Sequence, residues 1–451
     1  MRILHTSDWH LGRTFHGRVL DDAQETFADH LVELARREAV DAVVVAGDVY
    51  DRAIPPIDSV RLLDDTLRRL SDITRVVLTP GNHDSAQRLG FGADLLREGL
   101  TIRARTTEVD RPVVIPDPDG GDGLYIYALP YLDPDAARES LPPLLAERLG
   151  ETGDEPERDA GHARSSARST EPDNAPDPDS PETRRPPRRL PRSHEAVVSG
   201  ALRLVAADLT ARRAAATMRV PALVMSHAFV VGGRPTAESE RDIRVGGVDS
   251  VPAGVYTGLG GSPLAERSGG LDYVALGHLH RPQEIAQSAG PRLVYSGSPL
   301  PFSFDEAEDA RNSATKSSVL LDLAADGVAG LERIPTPVLH RVRTLTGTMS
   351  QLLSPAFDDA TGAWVRVVLR GERPPGALAT LKKRFGSLLA FQHEAPARTA
   401  RERIAVTAAA DPLRITEDFF DDVCGRAPEP SERGVLRSAY ESALASARSE
   451  R

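Results

Sequence analysis

Residues 40–51 read VDAVVVAGDVYD, a short apolar run that gives way at once to Gly-Asp. An apolar run as short as Ala42 to Ala46 is typical of a strand covered on both faces, as in parallel sheets. Similar strands are predicted at Ile3-Leu4 and at residues 75–79 (RVVLT). Apolar residues at helical spacing lie between them: Ala23, Phe27, Leu31 and Leu34, then Val60, Leu63, Leu67 and Leu70. The first hundred residues therefore predict a βαβαβ order.

Later strands are predicted from apolar runs further along the chain. They lie at Leu124–Leu129, Ala222–Ser226, Tyr273–Leu276, Arg292–Tyr295 and Ser318–Leu323. Several of these runs have no helical pattern between them, so a purely parallel sheet fits poorly. We predict an α/β fold in which two sheets form a sandwich flanked by helices, over residues 1–337.

Three further segments depart from this pattern. Residues 150–193 are rich in Pro, Asp, Glu, Arg and Ser and contain few large apolar residues, so we expect a disordered insertion. Residues 338–405 predict a small α+β domain, with strands at Val342–Leu345 and Val365–Leu369 and a helix at Leu378–Leu389. Residues 406–451 predict two amphipathic helices, and an apolar C-terminal helix of this kind either docks on its own core or binds a partner.

Composition excludes several classes of protein. The chain of 451 residues has no apolar run long enough to cross a bilayer, and its N-terminus turns polar after four residues. Its one cysteine, Cys424, excludes an intramolecular disulfide framework and a cysteine-rich zinc module. We therefore expect a cytoplasmic protein. A net charge of −11 weighs against DNA binding, although bound cations or a local basic groove would reduce that conflict.

Polar residues that can bind metals follow five of the predicted strands. The five segments are Asp8-Trp9-His10, Gly47-Asp48, Gly81-Asn82-His83-Asp84, Ser226-His227 and Gly277-His278-Leu279-His280. The carboxyl ends of strands are where α/β folds place ligands. In extended chain, residues i and i+2 point to the same side, so each D-x-H or H-x-H pair can reach one metal centre. One such pair is a weak signal, but five segments in this position predict a metal site.

The types of ligand and their number indicate a pair of metal ions. Aspartate, histidine and asparagine without cysteine suit Mn, Fe or Zn in open sites better than a closed structural zinc. Seven ligands are too many for one ion, whereas two ions about 3.5–4 Å apart would use them all. Two such ions activate water for attack at phosphorus, so the pattern predicts hydrolysis of a phosphate ester.

The five segments resemble the signature of the calcineurin-like metallophosphoesterases. The longer strings narrow the resemblance to the SbcD family, the bacterial counterparts of the break-repair nucleases. These strings are MRILHTSDWHLG (residues 1–12), VDAVVVAGDVYD (40–51), TPGNHDS (79–85), LDYVALGHLHRPQ (271–283) and YSGSPLPFSFDE (295–306). The resemblance covers most of the chain apart from residues 150–193 and becomes vague after about residue 340.

The resemblance implies a role for each residue of the five segments. Asp8, His10 and His280 would hold the first ion. Asn82, His227 and His278 would hold the second, with Asp48 bridging the two. His83 would stay free of metal and stabilise the transition state or protonate the leaving oxygen. Asp51 is similar to the aspartate that orients this histidine in related phosphatases, although a helix-capping or turn role is equally plausible.

The resemblance also implies a substrate, a cofactor and partners. The family prefers Mn²⁺ and combines 3′-to-5′ exonuclease with endonuclease action on double-strand ends and hairpins, in DNA repair and recombination. Its members dimerise and bind SbcC, a coiled-coil ATPase, so a heterotetramer is expected. Binding to a membrane is not expected. Arg13, Arg52 and Arg88 follow metal motifs and are candidates for contact with the DNA backbone. Two alternatives stay open: a metallophosphoesterase for a non-DNA phosphoester, and a noncatalytic scaffold.

Overall fold

A computed structural model describes residues 1–96, 98–150, 189–236, 250–306, 316–395 and 411–449. Residues 151–188 of the predicted insertion lie outside the described residues. Its predicted bounds were too wide, because Gly150 is the C-cap of a helix and Ser193 is the N-cap of the next. The strands are β1 Arg2–Thr6, β2 Thr14–Phe15, β3 Arg18–Val19, β4 Ala42–Ala46, β5 Arg75–Thr79, β6 Leu100–Ile102, β7 Val113–Pro116, β8 Asp122–Ala128, β9 Ala222–His227, β10 Phe229–Val230, β11 Ser250–Val251, β12 Tyr273–Gly277, β13 Gln283–Ile285, β14 Arg292–Tyr295, β15 Ser317–Ala324, β16 Gly327–Pro335, β17 Val342–Gly347, β18 Trp364–Arg370 and β19 Leu388–Glu394. The helices are α1 Asp21–Arg37, α2 Ile57–Ser71, α3 Ala86–Leu89, α4 Pro134–Leu149, α5 His194–Ala215, α6 Ala253–Thr257, α7 Ala265–Ser268, α8 Met349–Leu352, α9 Ala377–Arg384, α10 Pro412–Cys424 and α11 Pro430–Ser449.

Two six-stranded sheets form the body of the molecule. The first has the order β16-β15-β1-β4-β5-β6, and the second has the order β13-β14-β12-β9-β8-β7. In the first sheet β1, β4, β5 and β6 are parallel, while β15 and β16 are antiparallel. In the second sheet β8, β9, β12 and β14 are parallel. The parallel strands of each sheet therefore end together at one edge.

Both faces of strand β4 are covered, which explains its uninterrupted apolar run. Ala42 and Val44 pack between the sheets, with Ile126 and Leu223 of the second sheet in the same cluster. Val43 and Val45 face the other way, into the cluster that holds α1 and α2. All five residues of the strand are buried. Burying one valine side chain contributes roughly 1.5–3 kcal/mol, so both faces of the strand stabilise the predicted sandwich.

Helix α5 covers the second sheet and was not predicted from the sequence. Ten of its residues are buried, among them Val198, Leu202, Val205 and Leu209. They belong to the same apolar cluster as Tyr127 and Val224 of the second sheet. The prediction of helices flanking a two-sheet sandwich is confirmed, with α1 and α2 on one side and α5 on the other.

A third sheet of three parallel strands, β17-β18-β19, forms the small α+β region that the sequence predicted. The prediction of a helix over Leu378–Leu389 was wrong at its C-terminal end. Helix α9 ends at Arg384, and the chain continues as β19 from Leu388. Leu388 is buried in the small core beside Leu381 and Phe385, so tertiary packing overrides the helical spacing.

Helices α10 and α11 belong to a separate compact unit, residues 395–451. Helix α10 ends at Cys424, followed by Gly425 with φ of 73°, a common helix stop. Helix α11 begins at Pro430, so the predicted pair of helices with a break between them is confirmed. Phe419, Val423 and Val435 are exposed on this unit. The predicted domain limits at residues 337 and 405 stay predictions.

Candidate metal centre

Seven candidate ligands meet where the parallel strands of both sheets end. Asp8 and His10 follow β1, Asp48 follows β4, and Asn82 follows β5. The second sheet supplies His227 at the end of β9, and His278 and His280 after β12. Backbone hydrogen bonds join the first two loops, since the amides of Asp8 and His10 donate to the carbonyls of Gly47 and Asp48 over 3.0 Å.

One group of side chains consists of Asp8, His10 and His280. A ligand atom from each lies within 4.8 Å of the others, and all three residues are buried. Nε2 of His10 lies 3.1 Å from Nε2 of His280, so the two imidazoles converge on one point. This is the group that the resemblance assigned to the first ion.

A second group consists of Asn82, His227 and His278. Oδ1 of Asn82 lies 3.0 Å from Nε2 of His227 and 3.1 Å from Nδ1 of His278. Nδ1 of His227 donates to the carbonyl of Ala46 over 2.9 Å, which directs Nε2 toward the site. The three side chains proposed for the second ion are therefore together.

The Asp48 carboxylate lies between the two groups. Its Oδ2 is 3.5 Å from Nε2 of His10 and 3.4 Å from Nε2 of His227. Its Oδ1 accepts a hydrogen bond of 2.9 Å from the amide of His83. A carboxylate oxygen within reach of both groups fits a bridging ligand. The donor set and its spacing thus fit two divalent ions.

Burial controls the charge of the histidines at the site. Burial, followed by repulsion from His227, lowers the pKa of His278 to about 3. Burial likewise lowers the pKa of His10 well below its usual value. Neutral imidazoles can offer a lone pair to a cation, so both are ready to serve as ligands.

Asp48 and His227 form a buried charged pair. Burial alone would raise the pKa of Asp48, but the charge of His227 and its hydrogen bond hold that pKa well below the usual carboxyl value. Burial would lower the pKa of His227, but the Asp48 carboxylate raises it to about 9. A cation bound between these groups would replace the proton on His227, because metal binding requires a deprotonated ligand.

The backbone is strained at four of the candidate ligands. The backbone φ is 54° at Asp8, 44° at His10, 50° at Asp48 and 99° at His278. Residues other than glycine rarely adopt such positive values. Strain of this kind costs on the order of 1–3 kcal/mol per residue and clusters at functional sites. The close contacts of the surrounding loops hold these residues in place.

Two glycines permit the loops to approach each other. A Cβ on Gly81 would lie 2.1 Å from Oδ1 of Asp48, and a Cβ on Gly277 would lie 1.9 Å from the carbonyl oxygen of Ala46. Real Cβ atoms do not come this close to other atoms, so any larger residue would displace the ligand loops. The absence of a side chain at these two glycines therefore allows the close approach of the loops.

His83 lies at the edge of the same cluster. Its ring packs edge-on against His10 with 4.8 Å between centroids, and its Nδ1 lies 2.9 Å from the backbone carbonyl of Asp51. The Asp51 carboxylate instead lies 3.7 Å from Nδ1 of His10. Ligand atoms of His10, Asp48 and His83 also fall within 4.8 Å of one another, so the role of His83 without metal stays a prediction.

The three candidate DNA-binding arginines differ in exposure. The side chain of Arg13 is 16% exposed, and it lies 3.6 Å from Asp51. Its guanidinium also covers the Phe302 ring at 5.0 Å. Arg52 and Arg88 are exposed. Contact with DNA stays a prediction for all three, and the two exposed arginines are the more accessible.

Comparison with known proteins agrees with this geometry. A family model for the calcineurin-like phosphoesterases matches residues 1–141. A Rhodobacter capsulatus protein, named as the SbcD component of the nuclease SbcCD, is 31% identical over 444 residues, covering 92% of this chain and 91% of that protein. The chain belongs to the SbcD family. The Bacillus subtilis protein of the same name is 35% identical over 316 residues, covering 69% of this chain and 65% of that protein.

Membership of the SbcD family confirms the resemblance seen in the motifs. The family model and both relatives also confirm a phosphoesterase-type hydrolase with a two-sheet fold. The clusters of aspartate and histidine agree with divalent metal binding in this family. None of the described helices is long and apolar enough to span a bilayer.

Asp84 supports the site of this SbcD-family chain, although no role was predicted for it from the sequence. Its carboxylate accepts hydrogen bonds from the amides of Val49, Tyr50 and Gly81 over 3.0, 2.8 and 2.9 Å. These bonds tie the loop after β4 to the loop after β5. Its place as the fourth residue of the GNHD string was the available signal. Glu306 and Lys316 contact His280. Glu306 ends the string at residues 295–306 but no role was predicted for it, and Lys316 lies in no motif.

Proposed function

We propose that this chain is a metal-dependent DNA nuclease, with 3′-to-5′ exonuclease and endonuclease activity on double-strand ends and hairpins. The observation that carries the proposal is the Asp48 carboxylate between two groups of candidate ligands, 3.5 Å from His10 and 3.4 Å from His227. That arrangement suits phosphodiester hydrolysis, and the two relatives are named as components of a nuclease. The proposed setting is cytoplasmic DNA repair and recombination.

The proposed ligand sets are those the motifs implied. Asp8, His10 and His280 hold one ion, Asn82, His227 and His278 hold the other, and Asp48 bridges them. Two bound divalent ions, with Mn²⁺ preferred, would activate water and stabilise charge at phosphorus. The buried, neutral imidazoles of His10 and His278 support this set, since they need not lose a proton.

His83 is proposed to act on the substrate and not on the metals. The carbonyl of Asp51 accepts from Nδ1–H, so Nε2 is the ring atom left to contact the leaving oxygen or the charged phosphate. Asp51 thus orients His83 through its backbone, while its carboxylate faces His10 and Arg13. Arg52 and Arg88 are the exposed cations proposed to contact the DNA backbone.

The proposed partners are an SbcC-type coiled-coil ATPase and a second copy of this chain. Helices α10 and α11 expose Phe419, Val423 and Val435 at 68%, 65% and 69%, which supports their use as a docking segment. Phe91 and Leu95 are 89% and 88% exposed on the nuclease domain, and apolar exposure of this size supports a homodimer. Sedimentation of the full chain would test the dimer by giving its mass.

A cleavage assay tests the proposed substrate. The purified chain is incubated with end-labelled duplex and hairpin DNA in the presence of Mn²⁺, Mg²⁺ or EDTA. Cleavage is expected with Mn²⁺, and it should disappear in Asp48→Ala, while Asp58→Ala, an exposed aspartate on α2, keeps it. Labels at the 3′ and 5′ ends distinguish the direction of digestion.

The alternative is a metallophosphoesterase for a non-DNA phosphoester. This alternative would be favoured if the chain hydrolysed bis(p-nitrophenyl) phosphate but did not cleave DNA, whether or not the ATPase was added. If the wild-type protein bound Mn²⁺ but showed neither activity, both enzymatic proposals would be contradicted and a noncatalytic scaffold would be favoured. The three-stranded domain and the C-terminal helices argue for the nuclease, because a minimal phosphodiesterase needs neither.

A further inference from the structure

Behind His280 lies a buried ion pair that has no part in the ligand set. Glu306 ends a short 3-10 turn, Phe304–Glu306, and Lys316 precedes β15. Both are buried, with 9% and 4% of each residue exposed, and their side chains form a salt bridge. Removing two charges from water costs several kcal/mol per ion, so such a pair is a poor way to stabilise a core.

Glu306 contacts the ring of His280. Its Oε1 lies 3.2 Å from Nδ1 of His280, the nitrogen directed away from the ligand group. Nε2, on the opposite side of the ring, lies 3.1 Å from Nε2 of His10. A carboxylate that accepts Nδ1–H selects the tautomer with a lone pair on Nε2 and also holds the plane of the ring.

Lys316 contacts the backbone of the same histidine. Its ammonium donates to the carbonyl of His280 over 2.9 Å and to Oγ of Ser298 over 2.7 Å, in addition to Glu306. Ring and backbone of His280 are therefore held by the two members of one ion pair. The amide of Phe302 also donates to Glu306 over 3.3 Å, which anchors the carboxylate from a third side.

Position 316 holds a lysine, which is rare in this chain. Of 55 lysines and arginines, only Lys316, Lys382 and Lys383 are lysines. An ammonium is a compact donor of three hydrogen bonds, and Lys316 has three acceptors around it. A planar guanidinium presents its donors in a fixed fork, so it matches three acceptors around one point less well than an ammonium does.

We propose that Glu306 and Lys316 are positioning residues that orient His280 as a ligand of the first metal ion. The inference rests on the proposed role of His280 and extends it to two residues far from it in sequence. Glu306 sets the ring through Nδ1, and Lys316 keeps Glu306 in place and fixes the loop after β12. Neither residue belongs to the proposed ligand sets.

The test compares Mn²⁺ affinity with the stability of the metal-free protein in the full-length chain. The double variant Glu306→Met with Lys316→Met replaces the pair by apolar side chains of similar length. Replacement of a buried ion pair in this way is often neutral or stabilising, but Ser298 and the amide of Phe302 lose a partner, so a small fall in the metal-free melting temperature is expected. Calorimetry should show weaker binding of one Mn²⁺, by roughly 10- to 100-fold.

Two further variants separate positioning from general loss of structure. Glu306→Gln keeps an acceptor oxygen for Nδ1–H and should bind Mn²⁺ more tightly than the double variant and more weakly than wild type. Asp272→Asn disrupts another buried pair, with Arg213 at 3.3 Å, and should lower the melting temperature without changing Mn²⁺ affinity. Histidine ¹⁵N spectra of the metal-free protein should show a change of tautomer in the double variant.

The outcomes distinguish this inference from the proposed function. Wild-type Mn²⁺ affinity and an unchanged tautomer in the double variant would overturn the positioning role, provided that His280→Ala loses one ion. Unchanged Mn²⁺ binding in His280→Ala would instead overturn the ligand role of His280 and the inference with it. Weaker affinity in Asp272→Asn as well would show that affinity follows stability and would also contradict positioning.

Discussion

His83 is the residue whose role is best tested by one substitution. In His83→Ala, both Mn²⁺ ions should still bind, because every proposed ligand is intact. Hydrolysis of DNA and of bis(p-nitrophenyl) phosphate should fall by roughly 10²–10⁴-fold, the usual contribution of a positioned acid or base. Calorimetry and rate measurements on the same sample check both points. Loss of one ion in this variant would show that His83 is a ligand.

His5 should make stability depend on pH. Burial lowers the pKa of His5 to about 3, so the folded protein binds a proton there less readily than the unfolded chain. Its contribution to stability is complete above about pH 6.5 and is lost as the pH falls toward 3. At pH 5 the loss is about 2 kcal/mol, at 1.36 kcal/mol per unit below the ordinary value.

His5→Gln should therefore make the stability profile of the metal-free protein less steep between pH 6.5 and 4, and the remaining slope comes from His10 and His278, whose pKa is also lowered by burial. Denaturant unfolding at several pH values measures it, with His393→Gln, an exposed histidine, as the control. A profile as steep as that of the wild type would show that His5 does not contribute to the pH dependence of stability.

The ligands could be predicted from the sequence because each lies in a short motif at the end of a strand or within four residues after it. The contacts of Glu306 and Lys316 with His280 could not be predicted, because Lys316 lies in no motif and Glu306, at the end of the string 295–306, does not follow a strand. Their contact depends on how the segment after β14 returns across the sheet edge. Asp51 is intermediate: its position near His83 was expected, whereas contact through its carbonyl depends on the loop geometry.

At the scale of the element, the loops after β4 and β5 depend on the absence of a side chain at Gly81. Gly81→Ala places a methyl group 2.1 Å from Oδ1 of Asp48 and should push that carboxylate out of its bridging position. We expect a loss of roughly 1–3 kcal/mol in unfolding free energy, together with weaker Mn²⁺ binding. Gly362→Ala is the control, since no atom lies within 4 Å of a Cβ there. Equal effects in both variants would contradict the steric argument.

The strands of the sandwich were predictable because both of their faces are covered, which requires apolar runs such as Ala42–Ala46. Helix α5 was missed although Val198, Leu202, Val205 and Leu209 have helical spacing. Leu204 and Ala206 are also buried and lie beside that stripe, so the contrast between an apolar and a polar face is weak. The error at β19 has the opposite cause, since Leu388 continues the spacing of α9 although the chain has changed to a strand.

At the scale of the whole molecule, residues 151–188 should be dispensable. The chain returns beside α4, where Arg189 pairs with Glu139 at 3.0 Å and Leu190 bonds to the carbonyl of Arg138. About 15 Å of helix separates residue 139 from Leu149, the end of α4, at 1.5 Å per residue. A linker of about ten Gly and Ser residues, which reaches roughly 33 Å, can span that distance.

This replacement should keep the melting temperature and the nuclease rate close to those of the full chain. A larger replacement that also removes residues 189–193 is the control. It deletes the Arg192–Asp135 pair and the Ser193 cap of α5, so it should cost about 1 kcal/mol or more. An unfolded or inactive protein after the smaller replacement would show that residues 151–188 are structural.

The C-terminal unit should be separable from catalysis. Every candidate ligand precedes residue 281, and the unit that holds α10 and α11 begins at Ala395. Truncation after residue 405 should therefore keep the Mn²⁺-dependent basal nuclease while abolishing affinity for an SbcC-type ATPase. Unchanged affinity in the truncated chain would place the docking surface elsewhere in the molecule.

Two substitutions in the full-length chain should have the same effect as the truncation. Phe419→Asp with Val435→Asp should abolish ATPase binding, because both side chains are exposed and apolar and a buried, unpaired carboxylate is costly at an interface. Arg437→Asp is the control for added negative charge, since residues two apart on a helix do not share a face. It should bind the ATPase as the wild type does. Equal loss of affinity in the control would indicate that net charge, and not the apolar surface, governs docking.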